Sequence, residues 1–111
     1  MAYDEDLARR IRELVTGGAG LTEQKMFGGL AFMIGGNMAI GASGQGGALV
    51  RCDPEASDEL VASTEAQVFE MRGRQMKGWL RVDSTHLATT RELARWVEIG
   101  TSYARSLPAK A

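Results

Sequence analysis

The middle of the chain alternates between apolar runs and glycine-rich breaks, and this pattern predicts a sheet. Three short apolar runs occupy residues 26–34, 38–42 and 48–52. The GGN triplet at 35–37 separates the first two runs, and glycine and asparagine accept the positive φ that tight hairpin turns require. The looser SGQGG segment at 43–47 joins the second and third runs. We therefore predict three consecutive antiparallel strands.

The alternation of side chains along a strand predicts which of its faces is buried. In the middle strand, Met38, Ile40 and Ala42 share one face, which we expect to meet the core. The Gly28-Gly29 pair lies early in the first strand. It predicts a bulge or bend, because glycine contributes no packing inside a strand.

The first strand is apolar on both faces. Leu30, Phe32 and Ile34 share one face, and the opposite face carries Phe27, Ala31 and Met33. Both faces then need cover, from a second helical layer or from a partner subunit. Methionine side chains fill irregular gaps, either in a core or at an adaptable contact surface. We therefore predict a protein interface, with a partner protein or with a second copy in a homodimer, at Met26, Phe27, Ala31 and Met33.

Helical periodicity appears at both ends of the chain. Residues 4–15 place Leu7, Ile11 and Leu14 on one stripe and arginines on the opposite side, which predicts an amphipathic helix. Near the C-terminus, the sequence TTRE at 89–92 is a capping box, and the apolar stripe that follows predicts a helix that Pro108 ends.

The region between the apolar runs and the last helix completes the predicted order of elements. Asp53-Pro54 is typical of a helix start and predicts a helix over residues 54–62. Residues 67–71 and 78–82 have the composition of a second pair of strands, and a turn or short helical piece follows at 83–87. The order α-β-β-β-α-β-β-α predicts a two-layer α+β domain with an antiparallel sheet of about five strands.

Composition and charge narrow the range of functions. A chain of 111 residues, 44% hydrophobic and 24% charged, fits one soluble globular domain over residues 1–111. Its net charge of -1 supplies no general attraction to nucleic acid or to a membrane surface. The N-terminal residues lack the features of a signal peptide, and no apolar run reaches the length of a membrane span. We expect a bacterial cytoplasmic protein without a membrane partner.

Several short motifs resemble one known family over nearly the whole chain. They are KMFGGLAF at 25–32, Asn37-Met38, MRGR at 71–74 and Gly78-Trp79. Together they resemble the N-terminal domain of TfoX/Sxy competence regulators, which implies an α+β fold of this order and a regulatory role, and carries over no catalytic residues. The named regulators join this domain to a C-terminal helical domain. This sequence ends at Ala111, so we expect a stand-alone N-terminal domain.

The second pair of strands carries a cluster of basic residues. The segment MRGRQMKGWLR at 71–81 contains no acidic residue. Guanidinium groups bind phosphate in a bidentate manner, and an indole can stack on a base. The residues that would contact an anion or nucleic acid are Arg51, Arg72, Arg74, Lys77, Trp79 and Arg81. We favour the alternative of a solvated hairpin with Trp79 in the core, because so few charges give a small electrostatic footprint.

No set of residues predicts catalysis, a cofactor or a metal site. The glycines at 41–47 match neither GxxxxGK[ST] nor GxGxxG, and His86 is the only histidine. Cys52 is the only cysteine, so it forms no intrachain disulfide; it is either a reactive thiol beside Arg51 or, as we favour, a small buried thiol. We expect a non-enzymatic module that acts by protein contact, with nucleic-acid binding as the alternative. An enzyme or ligand-binding protein ranks third.

Overall fold

The residues that the structure describes form one antiparallel sheet and three α-helices. A computed structural model describes residues 3–15, 21–26, 28–71 and 73–108. The strands are β1 (Leu21–Met26), β2 (Gly29–Ile34), β3 (Asn37–Ala42), β4 (Ala48–Arg51), β5 (Gln67–Met71) and β6 (Arg74–Val82). The helices are α1 (Glu5–Leu14), α2 (Ser57–Ser63) and α3 (Thr90–Ser106), with short 3-10 turns at Pro54–Ala56 and Ser84–Leu87. The strand order in the sheet is β1-β2-β3-β4-β6-β5.

The predicted α+β class is confirmed, and the sheet has one strand more than the five expected. The additional strand is β1, with the sequence LTEQKM. Residues 22–25 of this strand are polar and exposed at the edge of the sheet, so the sequence has no apolar run that would predict the strand. None of the helices among the described residues is long and apolar enough to cross a membrane.

The main hydrophobic core lies between the sheet and the helices. It joins the apolar stripes of α1 and α3 to Phe32, Ile40 and Leu80 of the sheet, and Leu60 and Val61 of α2 pack against its edge. Trp96 of α3 belongs to this core and is 4% exposed. We call this side of the sheet the helix side. Leu30, Phe32 and Ile34 of β2 all belong to it, as the alternation in the sequence predicts.

Gly100 lets α3 approach β3 closely. A side-chain carbon at this position would lie 2.3 Å from the carbonyl oxygen of Ala39. The glycine is therefore a packing requirement, because any other residue would collide with the backbone of the strand.

A bulge in β3 changes the face to which Met38 belongs. Phe32 pairs with Ile40, but its neighbour Met33 pairs with Met38, so Ala39 is an extra residue in β3. The extra residue reverses the alternation from that point. Ile40 and Ala42 meet the helix side as predicted, whereas the expectation that Met38 shares their face was wrong.

Gly28 lies in the turn between β1 and β2, and Gly29 is the first residue of β2. β1 ends at Met26 and β2 begins at Gly29, while Gly28 has a φ of 76°. At Gly29 a side-chain carbon would lie 2.1 Å from the carbonyl oxygen of Ala42. Of the predicted bulge or bend, the bend occurs, as a turn at Gly28 before β2 begins rather than as a bulge inside a strand.

Candidate interaction surface on the second sheet face

A second, smaller apolar cluster lies on the opposite side of the sheet from the helices. Ala31, Met33, Met38 and Leu49 form it and are 2–8% exposed. The half-buried rings of Phe69 and Trp79 pack against this cluster. Among the described residues, every member of the cluster lies on a strand, whereas the buried apolar residues of the helices all belong to the main core. We call this the helix-free face.

Strand register shows which polar residues surround the cluster. Residues directly opposite each other in an antiparallel pair point to the same face. At one edge, Thr22 pairs with Met33 and Gln24 pairs with Ala31. These two polar side chains on β1 are exposed, so they form a neutral rim beside the apolar cluster.

At the other edge the rim is basic. Arg81 pairs with both Leu49 and Gln67, and Arg51 pairs with Trp79. Arg74 shares the face of Met76, which pairs with Phe69. The described residues that strand register places on the helix-free face therefore include three arginines and no acidic residue.

Arg51 lies between two aromatic rings at the end of the sheet. Its guanidinium carbon is 4.6 Å from the centroid of the Trp79 ring and 5.4 Å from that of the Tyr103 ring. The Nε atom of Arg51 is buried and has no hydrogen-bond partner. Within the described parts of the chain, Arg51 forms no salt bridge. Stacking therefore fixes the position of this cation without using its hydrogen-bond donors.

The other predicted basic residues do not converge on Arg51. Arg81 donates hydrogen bonds to the side-chain and main-chain oxygens of Gln45, at 2.7 and 3.0 Å. Lys77 lies 3.8 Å from Asp58 of α2, on the helix side. Arg74 is exposed, and Arg72 lies outside the described residues. Arg81 and Lys77 thus make contacts within the protein, whereas Arg74 is exposed to solvent, so these residues do not form one basic cluster.

The predicted interface residues are only partly described. Ala31 and Met33 are members of the second cluster. The side chain of Met26 and the whole of Phe27 lie outside the described residues. The sequence analysis missed Met38 and Leu49 as members, and it missed Phe69 and Tyr103. The sequence analysis assigned Met38 to the other face because it did not foresee the bulge in β3. No local sequence pattern indicates that Tyr103 of α3 lies near a strand.

Cys52 and the glycine-rich loop at 43–47, which the sequence analysis also considered, have surroundings that favour a structural role. Cys52 is buried, and burial first, then the negative charge of Asp53, raises the pKa of its thiol. A raised pKa leaves less of the reactive thiolate at neutral pH. The loop at 43–47 closes through a hydrogen bond from the Ser43 amide to the Gly47 carbonyl. No group of three potential metal ligands occurs among the described residues.

An open cleft of about 500 Å³ lies between α2 and α3, beside Cys52. Its charged lining residues are Asp53, Glu59 and Arg95, and Leu60 and Ile99 supply apolar surface. The two acidic groups belong to different elements, and no hydrogen bond links either of them to Arg95. The thiol of Cys52 lines this cleft, and burial and the charge of Asp53 raise its pKa, which disfavours the nucleophilic thiolate.

Among the described residues, three helices on one side of the sheet and a small apolar cluster on the other define a two-layer α+β module. The family comparison agrees with this description. The model of the TfoX N-terminal domain matches residues 13–104, and the chain belongs to this family. A comparison with curated proteins gave no significant match.

Proposed function

We propose that this protein is a non-enzymatic regulatory module that acts by binding another protein through the helix-free face. The observation that carries the proposal is the second apolar cluster, packed against the half-buried rings of Phe69 and Trp79, on a face that α3 reaches at one end, where Tyr103 contacts Arg51. Membership of the TfoX N-terminal domain family supports a role of the competence-regulator type.

The composition of the face suits protein contact. Aromatic residues and arginine are enriched among the residues that carry most of the binding energy at interfaces. The half-buried rings of Phe69 and Trp79 supply the apolar surface that a partner would meet, because Met33 and Met38 are only 8% and 4% exposed. Neutral Thr22 and Gln24 on one rim, with arginines on the other, match the usual arrangement of an apolar centre and a polar edge.

Nucleic-acid binding is the alternative, and the stacking of Arg51 on Trp79 favours it. Phosphate recognition needs several unpaired cations along one path, since each contributes a separate contact. Here Arg81 is bonded to Gln45, and Lys77 approaches Asp58 on the other side of the sheet. We therefore rank protein contact first.

The test uses two matched glutamine variants. Gln24→Glu adds a negative charge on the helix-free face, whereas Gln75→Glu makes the same change at an exposed position on the helix side. A two-hybrid screen with the wild-type chain identifies partners, and each binary affinity is then measured by calorimetry with purified proteins. Both variants must retain the wild-type thermal unfolding midpoint.

We expect Gln24→Glu to weaken partner binding at least about tenfold and Gln75→Glu to change it less than about twofold, since a negative charge beside a partner that complements the arginines costs on the order of 1.4 kcal/mol. Equal loss in both variants would contradict the proposal. Salt-sensitive binding of labelled duplex or single-stranded DNA or RNA, weakened by Arg74→Glu, would favour the nucleic-acid alternative instead.

A further inference from the structure

Arg51 has hydrogen-bond donors that the described residues do not satisfy. A guanidinium group has five N–H donors in one plane, and it accepts none. The rings of Trp79 and Tyr103 contact Arg51 by stacking, which uses the charge of the group but not its N–H bonds. The Nε donor is already withdrawn from water and has no partner. Because the Nε atom is buried, an acceptor brought by another molecule would bind the terminal nitrogens of the guanidinium group.

The geometry selects a planar, negatively charged acceptor. Rings stacked on a guanidinium group leave its edge available, and the edge matches the two oxygens of a carboxylate. The stacking also restricts the rotamers of Arg51, so little conformational entropy remains to be lost when a ligand binds. A single fixed arginine of this kind suits a single carboxylate better than a chain of phosphates.

The charge of the face indicates what kind of partner supplies the carboxylate. Among the residues described on the helix-free face, Arg51, Arg74 and Arg81 are charged and none is acidic. A second copy that docked with the same face would bring arginines against arginines, which is unfavourable. A partner with acidic side chains beside apolar ones would be complementary in both charge and polarity.

We propose that Arg51 binds the carboxylate of an acidic side chain on the partner protein, while neighbouring apolar residues of that partner pack against Phe69 and Trp79. This inference rests on the proposed function, because it names the chemistry of the partner at the same face. Arg51 is then a specificity-determining residue, which distinguishes an aspartate or glutamate from its amide.

The experiment uses a displayed library of random 12-residue peptides, selected on the intact wild-type protein. We expect the enriched peptides to contain aspartate or glutamate next to aromatic or aliphatic residues. Each enriched peptide is then synthesised with its acidic residue and with the matching amide, and both are titrated against wild type, Arg51→Lys and Arg51→Met.

A double-mutant cycle isolates the contact between the two charges. With the wild type, the change from acid to amide is expected to weaken binding about tenfold, and with Arg51→Met less than about twofold, because the charge partner is then absent. Arg51→Lys keeps the charge and loses the planar fork, so an intermediate effect is expected. If thermal unfolding shows that Arg51→Met does not fold, Arg51→Lys takes its place in the double-mutant cycle.

The outcomes separate this inference from the proposed function. Peptides that bind the wild type and lose affinity for Gln24→Glu, but that show no preference for acid over amide, would overturn the role of Arg51 and leave the proposed function standing. Failure to enrich any peptide, or binding indifferent to Gln24→Glu, would overturn both. Arg51-dependent dimers in light scattering, or Arg51-dependent binding of an oligonucleotide, would assign the site to a second copy or to nucleic acid and likewise overturn the inference.

Discussion

At the scale of single residues, Gly100 determines how closely the long helix can lie on the sheet. The carbonyl oxygen of Ala39, at the bulge of β3, occupies the space that a side chain would need. The close approach also places Tyr103, one turn further along α3, where its ring stacks on Arg51. One glycine thus contributes both to the main core and to the geometry of the candidate site.

Gly100→Ala is therefore expected to lower the free energy of unfolding by about 1–3 kcal/mol, because the collision outweighs the better helix propensity of alanine. Urea denaturation followed by circular dichroism measures this change. The control is Ser102→Ala, an exposed position on the same helix, for which a change within about 0.5 kcal/mol is expected. A Gly100→Ala protein as stable as the wild type would show that α3 can shift away from β3 without loss.

At the scale of elements, α3 begins with a reciprocal capping box. The side-chain oxygen of Thr89 accepts a hydrogen bond from the Glu92 amide at 3.1 Å, and the Thr89 amide donates to a Glu92 carboxylate oxygen at 3.2 Å. These contacts satisfy backbone donors that the first turn of a helix leaves unpaired. The sequence TTRE predicts this start, and the structure confirms it.

Thr89→Ala is expected to destabilise the protein by about 1 kcal/mol, because the cap acceptor is lost. Thr89→Ser keeps an oxygen at the same position and should recover most of that loss. Both variants are compared with the wild type by thermal and urea unfolding. Equal stability of the alanine and serine variants would show that the side-chain cap contributes nothing.

Local signals account for the elements that sequence analysis predicts well. Turn residues, caps and helical periodicity act over a few neighbours, so α1, the Asp53-Pro54 start and α3 are predicted close to where they occur. The edge strand β1 carries no apolar run and was missed for that reason. The bulge at Ala39 was missed too, because it depends on how β3 pairs with β2 rather than on the sequence of β3.

The candidate site was predictable only in part, and for a related reason. Excess apolar character in the first strand correctly indicated that the sheet has apolar residues on both faces. Which residues come together on the second face depends on the bulge and on the pairing of β4 with β6. Arg51 and Tyr103 are far apart in the chain, so no local sequence motif predicts their contact.

At the scale of the whole molecule, the salt bridge between Arg12 and Glu23 ties α1 to the edge of the sheet. Two hydrogen bonds, of 2.6 and 2.7 Å, join the guanidinium group to the two carboxylate oxygens. The hydrogen bond from Arg12 is the largest cause of the lowered pKa of Glu23. A carboxyl group with a lower pKa in the folded state stabilises the fold above its unfolded pKa, and this contribution is lost as the pH falls through the folded pKa.

Global stability should therefore fall in acid more steeply for the wild type than for Glu23→Gln. The bridge is partly exposed, so we expect a difference of at most about 1 kcal/mol at pH 6. This difference should shrink as the pH falls below the unfolded pKa of about 4.3. Urea denaturation at pH 6, 4 and 3 measures it. Glu59→Gln, at an exposed position without a described salt bridge, is the control. If the free energy of unfolding of the wild type and of Glu23→Gln changed with pH in the same way, the stabilising role of the bridge would be contradicted.

The division of the two tryptophans between the two sides of the sheet has a practical consequence. Trp96 is buried in the main core between the helices and the sheet, whereas Trp79 is half-buried beside the Arg51 cation. The intrinsic fluorescence of the protein is accordingly the sum of two emitters in different surroundings. Unfolding is expected to change the emission of both tryptophans, whereas the binding proposed at the helix-free face is expected to change that of Trp79 alone.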